Sequence, residues 1–433
     1  MRRPWILAGG VALMLAVSLG APGLLAQARP DYTPAEYNAY TACANDRAAA
    51  SRVKCLDDFV AKFPESSLMP YANQAYLNAY NGLRNFPKVI EYADKVLSLG
   101  DKLELGSRLT ALYLRTLAFH SSFNPRAADA SSQASKARAA AQDGLQVLEQ
   151  LPKPEQMTPE QFEQQKLQPK TLFTYTVGYT ALELKDYPAA IQNFRAAIAL
   201  NPADGLTHYR LALAHLQQEP PQYRQGMWEL SRAIALKVTG EQQVRNYLKG
   251  QLQRYQQTAC EREIDAQVSE MIALATASPE PPPDYRVPSG DDLAAARENA
   301  AQFLPVLKAG GLQARVMWLA MCNAEFPELY GKVIETADGN DSVILRLFTG
   351  TSEEEIEAAT APNTEVKVAQ QPEAKRLQKD NWLRYSGTLA NYTPDPFVLF
   401  FDKAKVNPED IPDEKATGPA KRPAKRPGKR SGN

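Results

Sequence analysis

The strongest constraint on the fold is a self-similar spacing in the middle of the chain. From Thr171 onward, Gly178, Tyr187, Ala190, Phe194, Ala197, Leu200 and Pro202 fall at fixed steps. From Gly205 a unit of the same kind begins again, with Leu211, Ala212 and Leu216, then Tyr223, Gly226, Leu230, Ala233 and Leu236. The pair Pro220-Pro221 lengthens the turn inside this second unit. Apolar residues three and four apart mark one face of a helix. Small residues at Gly178 and Ala190 let two helices cross closely. Large ones at Tyr187 and Phe194 fill the space between neighbouring pairs, and Pro202 after Asn201 ends the second helix. A helix pair of this kind cannot bury its apolar face alone, so it needs stacked neighbours.

These residues resemble the tetratricopeptide repeat, a helix pair of about 34 residues. The resemblance implies an α-solenoid of helical hairpins, and earlier segments extend it. Residues 70–100 keep the second-helix spacing with Phe86, Val89, Val96 and Leu99, but carry Leu77 where a small residue would stand. Residues 34–64 read as a degenerate pair closed by Phe63-Pro64, and residues 103–151 as two longer helices around Phe123-Asn124-Pro125. Residues 241–275 form a last amphipathic stretch, with Val244, Leu248, Leu252, Tyr255, Ile264, Val268 and Ile272 inward and a polar side suited to a cap.

In such repeats the first helix of each pair lines an inner surface. The matching positions here are Tyr71, Gln74, Asn78 and Asn81; then Leu172, Tyr175, Tyr179 and Leu182; then Leu206, Tyr209, Leu213 and Leu216. Tyr175, Tyr179, Tyr209, Tyr71, Gln74 and Asn78 are therefore the candidate groove residues for a protein or peptide. Tyrosine rings supply rigid contact area, and amides pair with a peptide backbone.

The two ends of the chain differ sharply from its body. Arg2 and Arg3 precede an apolar run over residues 5–19, then Pro22-Gly23 and Ala26-Gln27-Ala28. This is the form of a secretory signal peptide over residues 1–28, and it predicts a periplasmic or secreted protein. No later stretch reaches the ~20 apolar residues of a membrane span, so no transmembrane segment is expected once the signal is removed. The formal net charge of zero hides an asymmetry. Lys415, Lys421, Arg422, Lys425, Arg426, Lys429 and Arg430 put seven positive charges and no acid beyond residue 414, which leaves the body acidic. An acidic body argues against nucleic acid as a partner. Residues 413–433 cannot bury a core and are expected to be a disordered basic tail, able to hold an anionic surface or glycan by salt-sensitive attraction.

Between these ends the sequence predicts a multidomain α plus β chain. Residues 29–278 form the repeat domain, residues 279–290 a proline-rich linker, and residues 291–412 short helices followed by a small β-barrel. The strand candidates are residues 329–336 and 342–348, joined through Asp338-Gly339-Asn340-Asp341, then 365–369, 382–389 and 397–406. Asp-Gly between β-branched runs is a hairpin signal. The run Trp382-Leu-Arg-Tyr-Ser-Gly-Thr-Leu-Ala, followed by Pro396-Phe-Val-Leu-Phe-Phe, is similar to OB-like domains of envelope proteins. That resemblance implies a face on which Trp382, Tyr385, Tyr392 and Phe400 are candidates for stacking a ligand.

Four cysteines occur, and in an exported protein an even count permits disulfides. Cys43 and Cys55 flank the turn of the first helix pair and are the leading candidates, either bridged or as buried thiols; Cys260 and Cys322 are the remainder. His208 and His215 lie seven apart rather than the four that suits a metal pair on a helix, and His120 has no partner by spacing. No catalytic set, phosphate loop or metal motif can be assembled, so no cofactor and no enzymatic activity are expected. The reading is a non-enzymatic scaffold for a protein or peptide partner in the cell envelope. The alternative is a binder of envelope polysaccharide or another polyanion through the barrel and tail.

Overall fold

A computed structural model describes residues 31–413, apart from 258, 259, 284 and 340. The expected signal segment and the basic tail from Lys415 onward lie outside the described residues. The chain divides into two compact units, Met1–Val244 and Arg245–Asn433. Residues 245–278, grouped with the repeats in the sequence reading, fall in the second of these.

The described part of the first unit is built of antiparallel helix pairs: α1 (Pro34–Ala44) with α2 (Ala49–Lys62), α3 (Met69–Gly82) with α4 (Phe86–Leu97), α5 (Leu105–Ser122) with α6 (Ala130–Gln150), α7 (Pro159–Glu183) with α8 (Tyr187–Leu200), and α9 (Gly205–Gln217) with α10 (Tyr223–Ala235). The turns show how sequence sets the pairing. Arg84-Asn85-Phe86-Pro87 and Lys185-Asp186-Tyr187-Pro188 fold alike. Arg84 and Lys185 adopt positive φ, of 55° and 61°. The next amide reaches back to close the helix, Asn85 N to Tyr80 O at 3.0 Å and Asp186 N to Ala181 O at 2.8 Å. The Asn85 and Asp186 side chains then cap the following helix, and proline takes its first turn.

Apolar clusters run from each pair into the next. Leu56 and Phe59 meet Ala72 and Tyr76; Leu77, Val89 and Val96 meet Ala111 and Ala118; Leu112 and Val147 meet Phe173 and Val177; Ala190 and Phe194 meet Leu211 and Ala214. Gly178 is needed at its position, because a Cβ there would lie 2.9 Å from Phe194 Cδ1. The α7 helix starts at Pro159, well before the repeat pattern at Thr171. A capping box between Thr158 and Gln161 nucleates it, and it runs through the buried Pro169. Cys43 and Cys55 form a disulfide across α1 and α2, with Cα atoms 5.3 Å apart.

In place of one terminal amphipathic stretch, the chain makes two helices, α11 (Glu241–Gln256) and α12 (Glu261–Ala277). They separate after Gln257, which has a φ of 52°. Gln256 and Gln267 exchange reciprocal amide hydrogen bonds, of 2.8 and 3.1 Å, in the buried seam between them.

The second unit continues with α13 (Gly290–Glu298), α14 (Phe303–Ala309) and α15 (Gly311–Met321), then β1 (Glu325–Asp338), β2 (Val343–Phe348), α16 (Glu353–Ala358), β3 (Thr364–Val368), β4 (Trp382–Pro394) and β5 (Phe397–Val406). The strands close a barrel in the order β1-β2-β3-β5-β4, with β3 parallel to β5 and every other pair antiparallel. This is an OB-like arrangement. Strict alternation in β2 and β3 puts Val343, Leu345, Leu347, Val366 and Val368 inside. Phe303, Leu304, Leu307, Met317 and Trp318 of the preceding helices share that core. The proline-rich segment does not isolate the barrel from α12. Cys260 is disulfide-bonded to Cys322, and Arg315 pairs with Glu270.

Candidate functional site

The first helices α5, α7 and α9 touch one another in sequence, which builds one continuous face from alternate helices of the first unit. A cluster forms there. The Tyr175 and Tyr179 rings stack at 6.3 Å and 15°, one turn apart on α7. The Arg210 guanidinium of α9 lies over both, 3.9 Å from the Tyr179 centroid and 5.9 Å from that of Tyr175. His120 of α5 packs on the two rings at 5.3 and 5.5 Å, and Phe119 and Phe123 close the far side of Tyr179. A guanidinium held against aromatic faces is favourable where water is partly excluded.

The electrostatics of the cluster follow from burial. His120 is pushed down to about 3, first by desolvation and then by the nearby Arg210 charge. Its Nε2 lies 2.7 Å from Thr176 Oγ1, and that hydroxyl donates to the Leu172 carbonyl. The hydroxyl therefore accepts, and the imidazole is neutral with its proton on Nε2. Burial raises Tyr175 to about 12 and raises Tyr179 as well, so both stay protonated. Arg210 is the only permanent charge among these side chains.

The structure brings together Tyr175 and Tyr179 of the sequence candidates. Tyr179 is only 8% exposed, so its ring mainly packs the helices together, whereas Tyr175 is half-buried. Tyr209 is half-buried one residue before Arg210. Tyr71, Gln74 and Asn78 lie apart from this cluster on α3. Tyr71 is 54% exposed and lies 6.4 Å from the Tyr40 ring, Gln74 is half-buried and Asn78 is exposed. Sequence reasoning missed His120, Arg210 and the two phenylalanines. His120 had no partner by spacing because its partners come from other helix pairs. His208 and His215 are buried, His208 Nδ1 2.6 Å from Glu229 Oε2 and His215 Nδ1 2.6 Å from Gln222 Oε1.

The first unit is a solenoid of tetratricopeptide-type helix pairs. No protein-family model matches the chain, and no curated protein matches it. Among solved structures it is similar to the apo form of RapI, at 10% identity and a TM-score of 0.33, over 66% of this chain and 96% of that one. It is also similar to TTC0263, a thermophilic TPR protein in Thermus thermophilus, at 13% identity and a TM-score of 0.24, over 50% of this chain and 98% of that one. At such scores the assignment rests on the helix pairs, their turns and their packing residues in this chain.

The barrel places its own candidates differently. Tyr385 lies inside, its hydroxyl 2.9 Å from Thr349 Oγ1, in a buried network with Asn363 and Thr364. Trp382 is 8% exposed, Tyr392 packs on Trp318 at 5.0 Å, and Phe400 is half-buried. On the outer face of β1–β3, Arg346 is held between Glu335 at 2.9 Å and Glu365 at 3.5 Å. The acidic run at Glu353 opens α16, capped by Ser352. Lys308, with the Thr351 amide, pulls Glu355 down to about 2. Among the described residues no group of three or more His, Cys, Asp or Glu side chains is placed to hold a metal ion, and no helix is long and apolar enough to cross a membrane.

Proposed function

We propose that this chain is an exported, non-enzymatic scaffold whose repeat unit holds a protein or peptide segment against the face made by its first helices. The observation that carries this reading is the Tyr175–Tyr179–Arg210 cluster, where half-buried Tyr175 and Arg210 are held in place against the buried Tyr179 ring. Aromatic residues and arginine are the side chains that anchor protein interfaces. The disulfides Cys43–Cys55 and Cys260–Cys322 support an oxidising compartment, in keeping with the signal-like start of the sequence. The polyanion alternative gains less support. Tyr385 is committed to the barrel core, and Arg346 is flanked by two acids.

The test is capture from an envelope extract of the source organism, with residues 29–433 and with a version ending at Glu414. Both are expected to retain the same partner as salt rises from about 0.05 to about 0.5 M, since that range screens exposed charges but not a packed interface. Tyr175→Ala combined with Tyr209→Ala is expected to lose it while helicity is unchanged. Retention that needs the tail and disappears at high salt would transfer recognition to the polyanion reading.

A further inference from the structure

We infer that Arg210 is the recognition residue of this face and that the bound segment presents an acidic side chain to it. The inference rests on the groove reading above and gives it a ligand chemistry. Its basis is a contrast with three other buried or half-buried arginines of the first unit. Arg108 pairs with Asp143 at 2.8 Å, Arg115 with Asp94 at 2.6 Å and Arg138 with Asp186 at 3.0 Å. Arg210 has no carboxylate at ion-pair distance among the described residues, and its Nε is shut from solvent with no hydrogen-bond partner. Two acids around the cluster, Asp204 acting on Tyr175 and Glu183 acting on Arg210, do not supply one. Asp204 is occupied as the cap of α9, its Oδ1 accepting from Leu206 N at 3.1 Å and its Oδ2 from Thr207 Oγ1 at 2.6 Å. Glu183 acts on Arg210 only as a neighbouring charge.

What faces the guanidinium instead is two protonated phenols and a neutral imidazole. Charges removed from water are ordinarily paired. A guanidinium already desolvated and fixed over two rings loses little freedom when a carboxylate arrives, and it offers a planar fork that matches the anion. Half-buried Tyr175, its ring centroid 5.9 Å from the Arg210 guanidinium, suits an apolar neighbour of the acidic residue. His120, kept neutral, adds no competing positive charge, so Arg210 is the cation of this cluster.

The experiment uses the full exported chain on an array of paired peptides, identical within each pair except that Asp or Glu is replaced by Asn or Gln. The wild type is expected to favour the acidic members about tenfold or more, the size of a charge-assisted hydrogen bond. Arg210→Gln should abolish that preference while retaining residual binding to both members, and Arg210→Lys should restore part of it. Melting curves of both variants report folding separately. Equal binding of both members by the wild type, or an acid preference that survives Arg210→Gln in a folded protein, overturns the inference. If Tyr175→Ala with Tyr209→Ala leaves peptide binding intact while Arg210→Gln removes the acid preference, the tyrosine groove fails and the Arg210 assignment stands.

Discussion

Removing the Cys260–Cys322 bond should destabilise the second unit more than removing Cys43–Cys55 destabilises the first. The two bonds span 62 and 12 residues of chain. A cross-link lowers the entropy of the unfolded chain by an amount that grows with the logarithm of the loop, which gives about 4 kcal/mol for the longer loop and about 3 kcal/mol for the shorter. The longer bond also crosses the proline-rich segment, and Cys260 is buried in the same core as Trp318 and the barrel strands. Cys260→Ala with Cys322→Ala removes the bond and leaves small apolar side chains behind. Urea unfolding can be followed through Trp318 and Trp382 in the second unit, with Trp228 reporting on the first. The expected result is a lower midpoint for the Trp318 and Trp382 signals and an unchanged one for Trp228. A transition of the second unit that does not move would show that α12 and the barrel helices are not held as one body, and the reasoning would fail.

Two further perturbations test the repeat unit. His120 has its folded pKa depressed to about 3, so the folded state resists the proton that the unfolded state takes up near pH 6.5. Its contribution to stability is therefore complete above pH 6.5 and is lost as pH falls toward 3; on the order of 1–2 kcal/mol should be gone by pH 5, and His120→Asn should flatten that slope in melts run at several pH values. Phe194→Ala empties a fully buried ring site against Gly178 and should cost about 3–5 kcal/mol by urea unfolding, whereas Phe194→Leu should cost clearly less. Equal losses for both would mean that the Gly178–Phe194 crossing is not tightly packed.

The repeat and barrel architecture was legible because local rules write it. Gly178, Ala190 and Phe194 mark a helix crossing by size alone, Pro202 marks the end of a second helix, and Asp338-Gly339 between two β-branched runs marks a hairpin. What escaped the sequence depends on contacts that are distant along the chain. His120, Tyr175 and Arg210 come from three helix pairs, so no window contains them together. The start of α7 was missed because the repeat spacing begins only at Thr171, whereas the helix runs from its capping box at Thr158 through Pro169. The break between α11 and α12 turns on a left-handed Gln257, a conformation that nothing in its side chain announces. The union of α12 with the barrel depends on which cysteines meet, and spacing does not decide that.

The most direct test of the recognition face is site-specific photo-crosslinking in the source organism. A photoreactive phenylalanine analogue placed at Tyr209 or Tyr71 samples the first helices, and one at Lys367 samples the outer face of the barrel. A discrete protein adduct is expected from Tyr209, lost in Arg210→Gln, and none from Lys367. An adduct from Lys367 with none from Tyr209 or Tyr71 would contradict that expectation and place recognition on the barrel.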